Sequence, residues 1–433
     1  MTETTFFVSA PGKIIIFGEH SAVYGKPAIA AALSLRAYLQ VSRNDNENEI
    51  TLKFPDIDLS YTWNKHDIPW TEIRKFITYE NGKPVTTEEL VPEIVDKISN
   101  LLGDIPSRTH FTTCLSFLYL YTHLCTEDVP GNTFCIRSTL PIGAGLGSSA
   151  STGVCLAAAL SVLSGKINSP TTSIHDKSSK DETHQLEFID NWSLMGEKCF
   201  HGNPSGIDNA VATYGGAVMF QRVSVPSQPS IRTTMRNFPS MKLLLTNTKI
   251  PRSTADLVGG VAKRNSEYPK LTSPILDAMG NLASEAYKIM TAPEFGHVEL
   301  ETLRELVEIN HGLLVAIGVS HPALEKVKVI ADINKIGATK LTGAGGGGCA
   351  ITLIDESSPI ESIHKAINEF GREGFDSFET SLGGKGVAML TKHDVSEENR
   401  NVVFSLEEFS ALKDSISIEH QIGTSGTNNW KYW

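Results

Sequence analysis

The chain has 433 residues, of which 40% are hydrophobic and 20% charged; this composition is typical of a globular protein, and the length favours two domains over a single core. Its formal net charge of −11 argues against broad nucleic-acid binding, which needs a basic face. The same charge means that an anionic substrate would need locally placed cations or a metal ion.

Two further features bear on the compartment. The first residues, MTETTFFVSAPGK, have neither the basic start nor the long apolar core of a signal peptide, and the apolar stretches elsewhere are too short or too polar to span a bilayer. The six cysteines form no C-x-x-C pair and mostly lie in apolar runs. We therefore expect a cytoplasmic protein with reduced cysteines and with no membrane or nucleic-acid partner.

The first half of the chain is predicted to mix strands and helices. Alternation and β-branched runs predict strands at residues 6–10, 13–17, 38–42, 50–54, 134–141 and 217–223. Apolar periodicity predicts helices at residues 91–102, 111–125 and 186–199. A stretch rich in Ser, Thr, Asp and Lys, residues 166–184, is expected to be an exposed loop.

The second half is predicted to form another unit. Residues 224–237, with two prolines, are the best candidate for a domain boundary. Beyond them we expect a strand at 242–246, helices at about 253–290 and 298–317, a glycine hairpin followed by a strand at 349–354, a helix at 360–373 and a strand at 386–391. The predicted domains are therefore 1–225 and 238–392, with a flexible C-terminal extension at 393–433, of which TSGTNNWKYW at the end is expected to be a frayed tail.

A glycine-rich turn that runs directly into a helix is the most informative motif. In PIGAGLGSSASTGVCLAAAL, Gly143, Gly145 and Gly147 allow a close approach to the backbone, and Ser148 and Ser149 stand where the helix begins. Free N–H groups at such a helix start attract phosphate. The alternative is a serine N-cap before an ordinary buried helix. A P-loop is excluded, because no lysine follows the last glycine.

The segment near the amino terminus, APGKIIIFGEHSAVYGKPAI, carries three charged or titratable residues of interest. Strand alternation places Lys13 at the start of an otherwise apolar row, and Glu19 and His20 follow in a glycine turn. Taken alone, each residue is better explained as structural than as catalytic, Lys13 as a lysine with a buried stem and the other two as exposed turn residues.

A third segment, GEKCFHGNPSGIDNAVATYGG, contains two carboxylates that flank a loop rich in helix breakers. Glu197 ends one helix and Asp208 enters another. Asp208 has two readings, as a carboxylate aimed at a substrate hydroxyl or as the acid of a capping box with Ser205. If the glycine loop holds nucleotide phosphates, Mg²⁺ must accompany them, and Glu197 with Ser149 would supply the minimum of protein ligands.

The last glycine motif is KLTGAGGGG. Residues 343–348 carry a single Cβ atom, on Ala344, so this turn is predicted to let another group approach its backbone. Its match to the G-x-G-x-x-G dinucleotide motif is spurious, because the strand CAITLI follows it where that motif must open a helix.

Three of these motifs, PGK followed by GEHSAVYG, then PIGAGLGSSA, then KLTGAGGGG, occur in the order seen in the GHMP kinases. From about residue 7 to residue 391 the chain resembles this family of small-molecule kinases. The resemblance implies an α+β fold with an N-terminal ribosomal-protein-S5-like domain and a C-terminal ferredoxin-like domain. Four segments are most similar to the members that act on mevalonate: GEHSAVYGKPAIA, HGNPSGIDNAVATYGG, TNTKIPRST and INHGLLVAIGVSHPALE.

The resemblance also implies an activity. It is ATP-dependent phosphorylation of the C5 hydroxyl of (R)-mevalonate to 5-phosphomevalonate, on the route to isoprenoids and sterols, with Mg²⁺ as cofactor. Inhibition by prenyl diphosphates and a homodimer are implied by analogy. Two alternatives stay open, namely a family member acting on another small alcohol and a non-catalytic sensor of nucleotide and metabolite.

The roles that the resemblance implies can be assigned residue by residue. Lys13 and Asp208 would be catalytic, the second as the base that takes the proton of the hydroxyl. The mevalonate pocket would be lined by Glu19, His20 and Thr248. The nucleotide would be held by Lys13, Ser138, Gly143, Ala144, Gly145, Leu146, Gly147, Ser148 and Ser149. Mg²⁺ would be bound by Ser149 and Glu197.

Overall fold

The computed structural model describes residues 5–103, 105–141, 143–171, 180–202, 204–222, 230–235, 238–424, 426 and 428–433. The strands are β1 Thr5–Phe17, β2 Ala28–Arg43, β3 Glu49–Phe54, β4 Leu59–Asn64, β5 Tyr79–Glu80, β6 Lys83–Pro84, β7 Asn132–Ser138, β8 Ala217–Gln221, β9 Ile231–Met235, β10 Met241–Asn247, β11 Gly337–Leu341, β12 Cys349–Ile354, β13 Asp376–Leu382, β14 Ala388–Thr391 and β15 Lys431–Tyr432.

The α-helices are α1 Trp70–Ile73, α2 Pro92–Leu102, α3 Arg108–Leu124, α4 Ser148–Leu163, α5 Lys180–His201, α6 Ile207–Tyr214, α7 Thr254–Glu267, α8 Pro269–Met290, α9 His297–Ala316, α10 Pro322–Asn334, α11 Ile360–Arg372, α12 Arg400–Val403, α13 Leu406–Ala411 and α14 Ser415–Ile422. Together with the strands they give a mixed helix and sheet architecture, as the resemblance to the kinase family predicts.

The long strand β2 is the spine of the sheet. It pairs with β1, β7 and β8, and at Leu33 it meets Leu382 of β13, so that strands from both halves of the chain share it. The strands run in the order β11-β12-β10-β13-β2-β1-β14-β15. Nearly every residue of β2 is buried, because neighbouring elements cover the strand along most of its length.

The buried side chain of Arg36 strengthens this joint. Its guanidinium donates to Ser9 on β1 and to the carbonyl oxygens of Lys385 and Gly386, just before β14. A buried charge of this kind is tolerated when its donors are satisfied by hydrogen bonds, as they are here.

The helix α4, which follows the glycine loop, lies in the middle of the first half of the molecule. Its residues are mostly small or apolar, and those from Ala150 to Val162 are buried on all sides. It packs between α5 and α6 and the strands β1 and β2, and α3 covers α5. A helix that is buried all round is rigid, so the loop at its amino-terminal end has a fixed base.

The second half of the molecule packs helices against the sheet β10–β13. The helices α8 and α9 contribute Leu282, Leu303 and Val307 to one apolar cluster, while α10 and α11 cover another around Ile336 and Phe370. The glycine hairpin between β11 and β12 and the helix at 360–373 are confirmed.

The C-terminal tail differs from the prediction. Instead of fraying, residues 393–424 form short helices, and β15 pairs with β14. Phe404, Phe409, Trp430 and Tyr432 are buried against Phe7 and Tyr38 of the first two strands. The expectation of a frayed tail is therefore wrong, because these aromatic side chains bury more apolar surface than a free tail could.

Three smaller differences concern loops. The predicted loop at 166–184 is shorter, since α5 already begins at Lys180; residues 172–179 lie outside the described part. The predicted boundary at 224–237 contains β9, which pairs with β8; residues 223–229 and 236–237 are not described. The division into domains stays a prediction. No helix among the described residues is both long and apolar enough to cross a bilayer.

Candidate active site

A cavity of about 650 Å³ opens between the two glycine-rich segments and the elements β1, α5 and α6. The first segment, residues 143–149, is called the glycine loop, and the other, residues 343–348, the second glycine turn. Its polar side is lined by Lys13, Gly143, Gly145, Leu146, Gly147, Ser148, Ser149, Glu197, Asp208, Asn209, Arg252, Gly343 and Ala344. Its apolar end is lined by Phe54, Ile57 and Phe200, and the lining also includes Thr109 and Thr113. The structure thus gathers most of the residues singled out in the sequence around one space.

The glycine loop has the backbone that its sequence predicts. Gly143, Gly145 and Gly147 have φ angles of +74°, +79° and +74°, which residues with a side chain rarely adopt. Gly147 is itself the N-cap of α4 and supplies no side-chain cap, so the alternative of a serine N-cap is wrong. The first N–H groups of α4 are therefore left for a ligand, as at other anion sites at helix starts.

Lys13 reaches into the cavity from an irregular point of β1. The pairing of β1 with β2 shifts register between Pro11 and Lys13, and the backbone N–H of Lys13 donates to Leu146 of the loop at 2.9 Å. Its Nζ lies 3.3 Å from Asp208 Oδ2 and donates to the carbonyl of Gly145 at 3.3 Å. Strand and loop are thus joined at the residue that carries the positive charge.

Asp208 lies in the first turn of α6. The N-cap of this helix is Gly206, with φ of +71°, and no side chain caps it. Ser205 Oγ accepts only a long hydrogen bond of 3.4 Å from the N–H of Ile207. The capping-box alternative is therefore wrong, and the carboxylate of Asp208 faces Lys13 in the cavity.

Glu197 lies near the end of α5 with its side chain only 5% exposed. Oε1 accepts a hydrogen bond of 2.9 Å from Ser149 Oγ, while Oε2 is buried and has no hydrogen-bond partner among the described residues. Burial raises the pKa of this carboxyl to about 7; the hydrogen bond from Ser149 opposes the shift, and the nearby charge of Asp208 adds to it. A buried carboxyl with a free oxygen is stabilised either by protonation or by a bound cation.

The donor set at Glu197 fits magnesium. Among the described residues there is no cluster of three or more His, Cys, Asp or Glu that could form an all-protein cage. Magnesium does not need one, because it binds one or two protein oxygens and completes its shell with phosphate oxygens and water. The unpartnered Oε2 of Glu197 and the hydroxyl of Ser149 meet that requirement.

Three predicted substrate residues and two predicted nucleotide residues, Ser138 and Ala144, are not among the residues that line the cavity. Glu19 forms a fully buried ion pair with Lys340, and Nδ2 of Asn310 donates to its other oxygen. His20 Nε2 pairs with the carbonyl of Ala344 at 2.9 Å, and burial lowers the pKa of this imidazole. These contacts hold the second glycine turn from behind.

Thr248 and Ser138 make comparable local contacts. Thr248 Oγ1 donates to the carbonyl of Gly348 at 2.8 Å. Ser138 Oγ accepts from the N–H of Leu140 at 3.1 Å, at the entry to the glycine loop. The polar side of the cavity is therefore built without Thr248, Ser138, Glu19, His20 and Ala144.

One residue of the site was missed in the sequence. Arg252 Nη2 donates to the carbonyl of Ala144 at 2.9 Å, and its guanidinium lies so close to Gly348 that no Cβ would fit there. It therefore connects the two glycine turns and adds a second cation to the cavity. Two features of the sequence could have pointed to it. An acidic chain that binds an anionic substrate needs a local cation, and Arg252 lies in TNTKIPRST, one of the segments that resemble the kinase family.

Comparisons with known proteins agree on one family. The model of the GHMP kinases N terminal domain matches residues 114–216, and that of the GHMP kinases C terminal matches residues 293–373. The chain is 58% identical over 434 residues to the mevalonate kinase of Candida albicans, with all of both chains covered. It is 35% identical over 402 residues to that of Homo sapiens, covering 90% of this chain and 96% of the human one.

Solved structures agree with these matches. The Methanococcus jannaschii mevalonate kinase superposes with a TM-score of 0.61 and 26% identity, covering 87% of this chain and 98% of the other. The L. major mevalonate kinase in complex with R-mevalonate has a TM-score of 0.63 and 22% identity, with 89% and 98% covered, and shows the likeness of fold.

Proposed function

This chain belongs to the GHMP kinase family, among its mevalonate kinases, and we propose from that premise that it phosphorylates the C5 hydroxyl of (R)-mevalonate with ATP to give 5-phosphomevalonate. The single observation that carries the assignment of roles is the pair of Lys13 and Asp208, 3.3 Å apart beside the uncapped start of α4. A cation and a carboxylate at a phosphate site are the parts that phosphoryl transfer to an alcohol requires.

The nucleotide phosphates are proposed to bind at the glycine loop. The free N–H groups at the start of α4 and the helix dipole stabilise negative charge there, and Lys13 Nζ adds a full positive charge. Because the transition state of phosphoryl transfer is loose, positioning and neutralisation of charge do most of the catalysis. The apolar end of the cavity is then left for the nucleobase.

Asp208 is proposed as the base of the reaction. As the C5 oxygen forms its bond to the γ-phosphorus, the bond from that phosphorus to the leaving ADP oxygen breaks, and the hydroxyl proton passes to Asp208. Lys13 neutralises charge on the transferred group and holds the carboxylate in place. General-base catalysis of this kind contributes about 10²–10⁴-fold to the rate.

Mg²⁺ is proposed to be held by Glu197 and Ser149, which fit it as described above. When bound, it neutralises the phosphate oxygens during transfer. The protein's own part is to keep Glu197 buried, aligned by the hydroxyl of Ser149 and close to the start of α4.

The carboxylate of mevalonate is proposed to pair with Arg252, the second cation that lines the cavity. Arginine binds a carboxylate through two parallel hydrogen bonds, which orients the substrate as well as holding it. We further propose that His20 and Thr248 serve the substrate side by holding the backbone of Ala344 and Gly348, and that Glu19 does so through its ion pair with Lys340, just before that turn. Ser138 is proposed to act on the nucleotide through the entry of its loop.

The cellular setting is proposed from the relatives. We place the reaction in the cytoplasm, on the route to isoprenoids and sterols. Prenyl diphosphates are proposed as feedback inhibitors, since a diphosphate with an apolar chain matches a cavity with a phosphate loop and an apolar end. A homodimer is proposed by analogy with similar enzymes.

The test is an assay of ADP release by the full chain with ATP, Mg²⁺ and each of mevalonate, phosphomevalonate, homoserine and galactose. Turnover with mevalonate above the others is expected. Binding without turnover would favour a sensor, and preference for another alcohol would favour another member of the family. Asp208→Ala should bind ATP normally and lose about 10²–10⁴-fold in kcat; near-normal kcat would remove Asp208 as the base.

A further inference from the structure

An ion pair outside the cavity lining approaches the turn that carries the proposed base. Asp190, on α5, lies with Oδ2 at 3.5 Å from Nη1 of Arg232, on β9. The residue Asp190 is only 8% exposed, and its Oδ1 has no hydrogen-bond partner in the part of the chain that the structure describes. Removing such a carboxylate from water costs more than one pairing at this distance returns, so stability alone does not explain the pair.

Arg232 also touches the residue that begins α6. A Cβ atom on Gly206 would lie 2.7 Å from Nη2 of Arg232, so the guanidinium is in direct contact with this glycine. Gly206 has a left-handed backbone and, among the described residues, no side-chain cap, and the hydrogen bond from Ile207 N–H to Ser205 Oγ is long, so the start of the helix has few internal restraints. The arginine therefore supplies from outside a restraint that the loop does not provide itself.

A second contact holds the other side of Asp208. Nδ2 of Asn209 donates to Ser193 Oγ at 3.1 Å, and Ser193 Oγ donates to the carbonyl of Asp190 at 2.8 Å. On one side of Asp208, Gly206 touches Arg232, which pairs with the carboxylate of Asp190; on the other side, Asn209 is tied through Ser193 to the backbone carbonyl of the same residue.

We propose that Asp190 and Arg232 are positioning residues that fix the first turn of α6 and thereby aim the carboxylate of Asp208 at Lys13. The inference deepens the proposed function, because it rests on Asp208 being the base. It assigns a role in the reaction to two residues that do not themselves line the cavity. The charge of Arg232 is neutralised by Asp190, so the arginine can approach the positive end of α6.

The experiment introduces Arg232→Gln into two backgrounds, the wild-type chain and Asp208→Ala, and measures kcat and the KM for ATP with and without the substitution. In the wild type, kcat should fall by about 10- to 100-fold, the size of effect expected when a catalytic group is misplaced by about 1 Å. The KM for ATP should stay near the wild-type value, and Arg232→Lys should recover part of the rate. In Asp208→Ala, Arg232→Gln should cause no further loss of kcat.

A purely structural role would lower activity in both backgrounds by the same factor, and that result would overturn the proposal. Lys326→Gln, which removes a surface ion pair with Glu373, is the matched control and should change neither background. Hydrogen–deuterium exchange provides a readout that does not depend on the role of Asp208. The peptide 204–214 should exchange faster in Arg232→Gln than in Lys326→Gln, and equal exchange would also refute the positioning role even if Asp208 proves to be the base.

Discussion

Replacing Gly147 by alanine separates the conformational cost of the glycine loop from its contact with Lys13. At φ of +74° an alanine costs about 1–2 kcal/mol in the left-handed conformation. Because alanine has fewer conformations than glycine in the unfolded chain, the substitution also stabilises the folded state by about 0.4–1 kcal/mol. The net loss of stability should therefore be about 1 kcal/mol.

The added methyl group also meets the catalytic lysine. It would lie 3.0 Å from Cγ of Lys13 and 3.6 Å from Oδ2 of Asp208, so the lysine stem must move by a few tenths of an ångström. The contacts of Nζ with Asp208 and Gly145 are already 3.3 Å long, and further lengthening weakens both. Losing a hydrogen bond to a charged group, about 1.5–3 kcal/mol, corresponds to about a 10- to 150-fold fall in kcat/KM.

Gly165→Ala is the matched control. Gly165 has φ of +66° and no atom within 4 Å of its hypothetical Cβ, so alanine there pays the same backbone strain without a new contact. Unfolding midpoints in denaturant should fall alike in the two variants, while ADP release should be slowed only in Gly147→Ala. If Gly147→Ala lost the same stability and kept the kcat/KM of the control, the contact between the loop and Lys13 would not matter for catalysis.

Three further predictions follow from other residues of the molecule. Glu197→Gln keeps the shape but removes the charge, and it should raise the Mg²⁺ concentration needed for half-maximal activity; an unchanged titration would contradict its role as a ligand. Arg252→Met should raise the KM for mevalonate more than that for ATP, measured by varying each substrate, and an equal effect on both would refute the pairing with the carboxylate. Burial raises the pKa of Asp190 to about 6. The contribution of this carboxyl to the free energy of unfolding is therefore fully present below the pKa that it has in the unfolded chain, and it is lost as the pH rises through 6. From about pH 5 to pH 8 the wild type should therefore lose about 1 to 1.5 kcal/mol relative to Asp190→Asn in urea unfolding, and parallel stability curves would show that Asp190 is not so perturbed.

The sequence predicted those parts of the site that depend on local geometry. The positive φ angles of Gly143, Gly145 and Gly147, and the start of α4 after them, follow from which residues tolerate such a backbone. The convergence of Lys13 and Asp208 was implied by the resemblance to the kinase family, and the structure places them in contact.

Long-range pairing could not be predicted in the same way. Glu19 and Lys340 are 321 positions apart in the chain, and only the folded topology brings them together. Arg252 was overlooked because a single cation in a loop has many possible partners, and its contact with Ala144 spans both halves of the chain. The tail was misjudged because α12 and α13 have four and six residues, too few for a helical period to stand out in the sequence.

The sharing of strands between the two halves bears on how the polypeptide could be divided. Phe6 to Ser9 of β1 pair with β14, and Arg36 fastens the same place through the carbonyls of Lys385 and Gly386. A fragment ending near residue 225 would leave that ladder of amide and carbonyl groups bare and the guanidinium without its acceptors on Lys385 and Gly386. Exposed strand edges pair with the edges of other chains, so such a fragment should aggregate. Co-expression of the remaining C-terminal fragment, which would restore the pairing of β1 with β14, should prevent this.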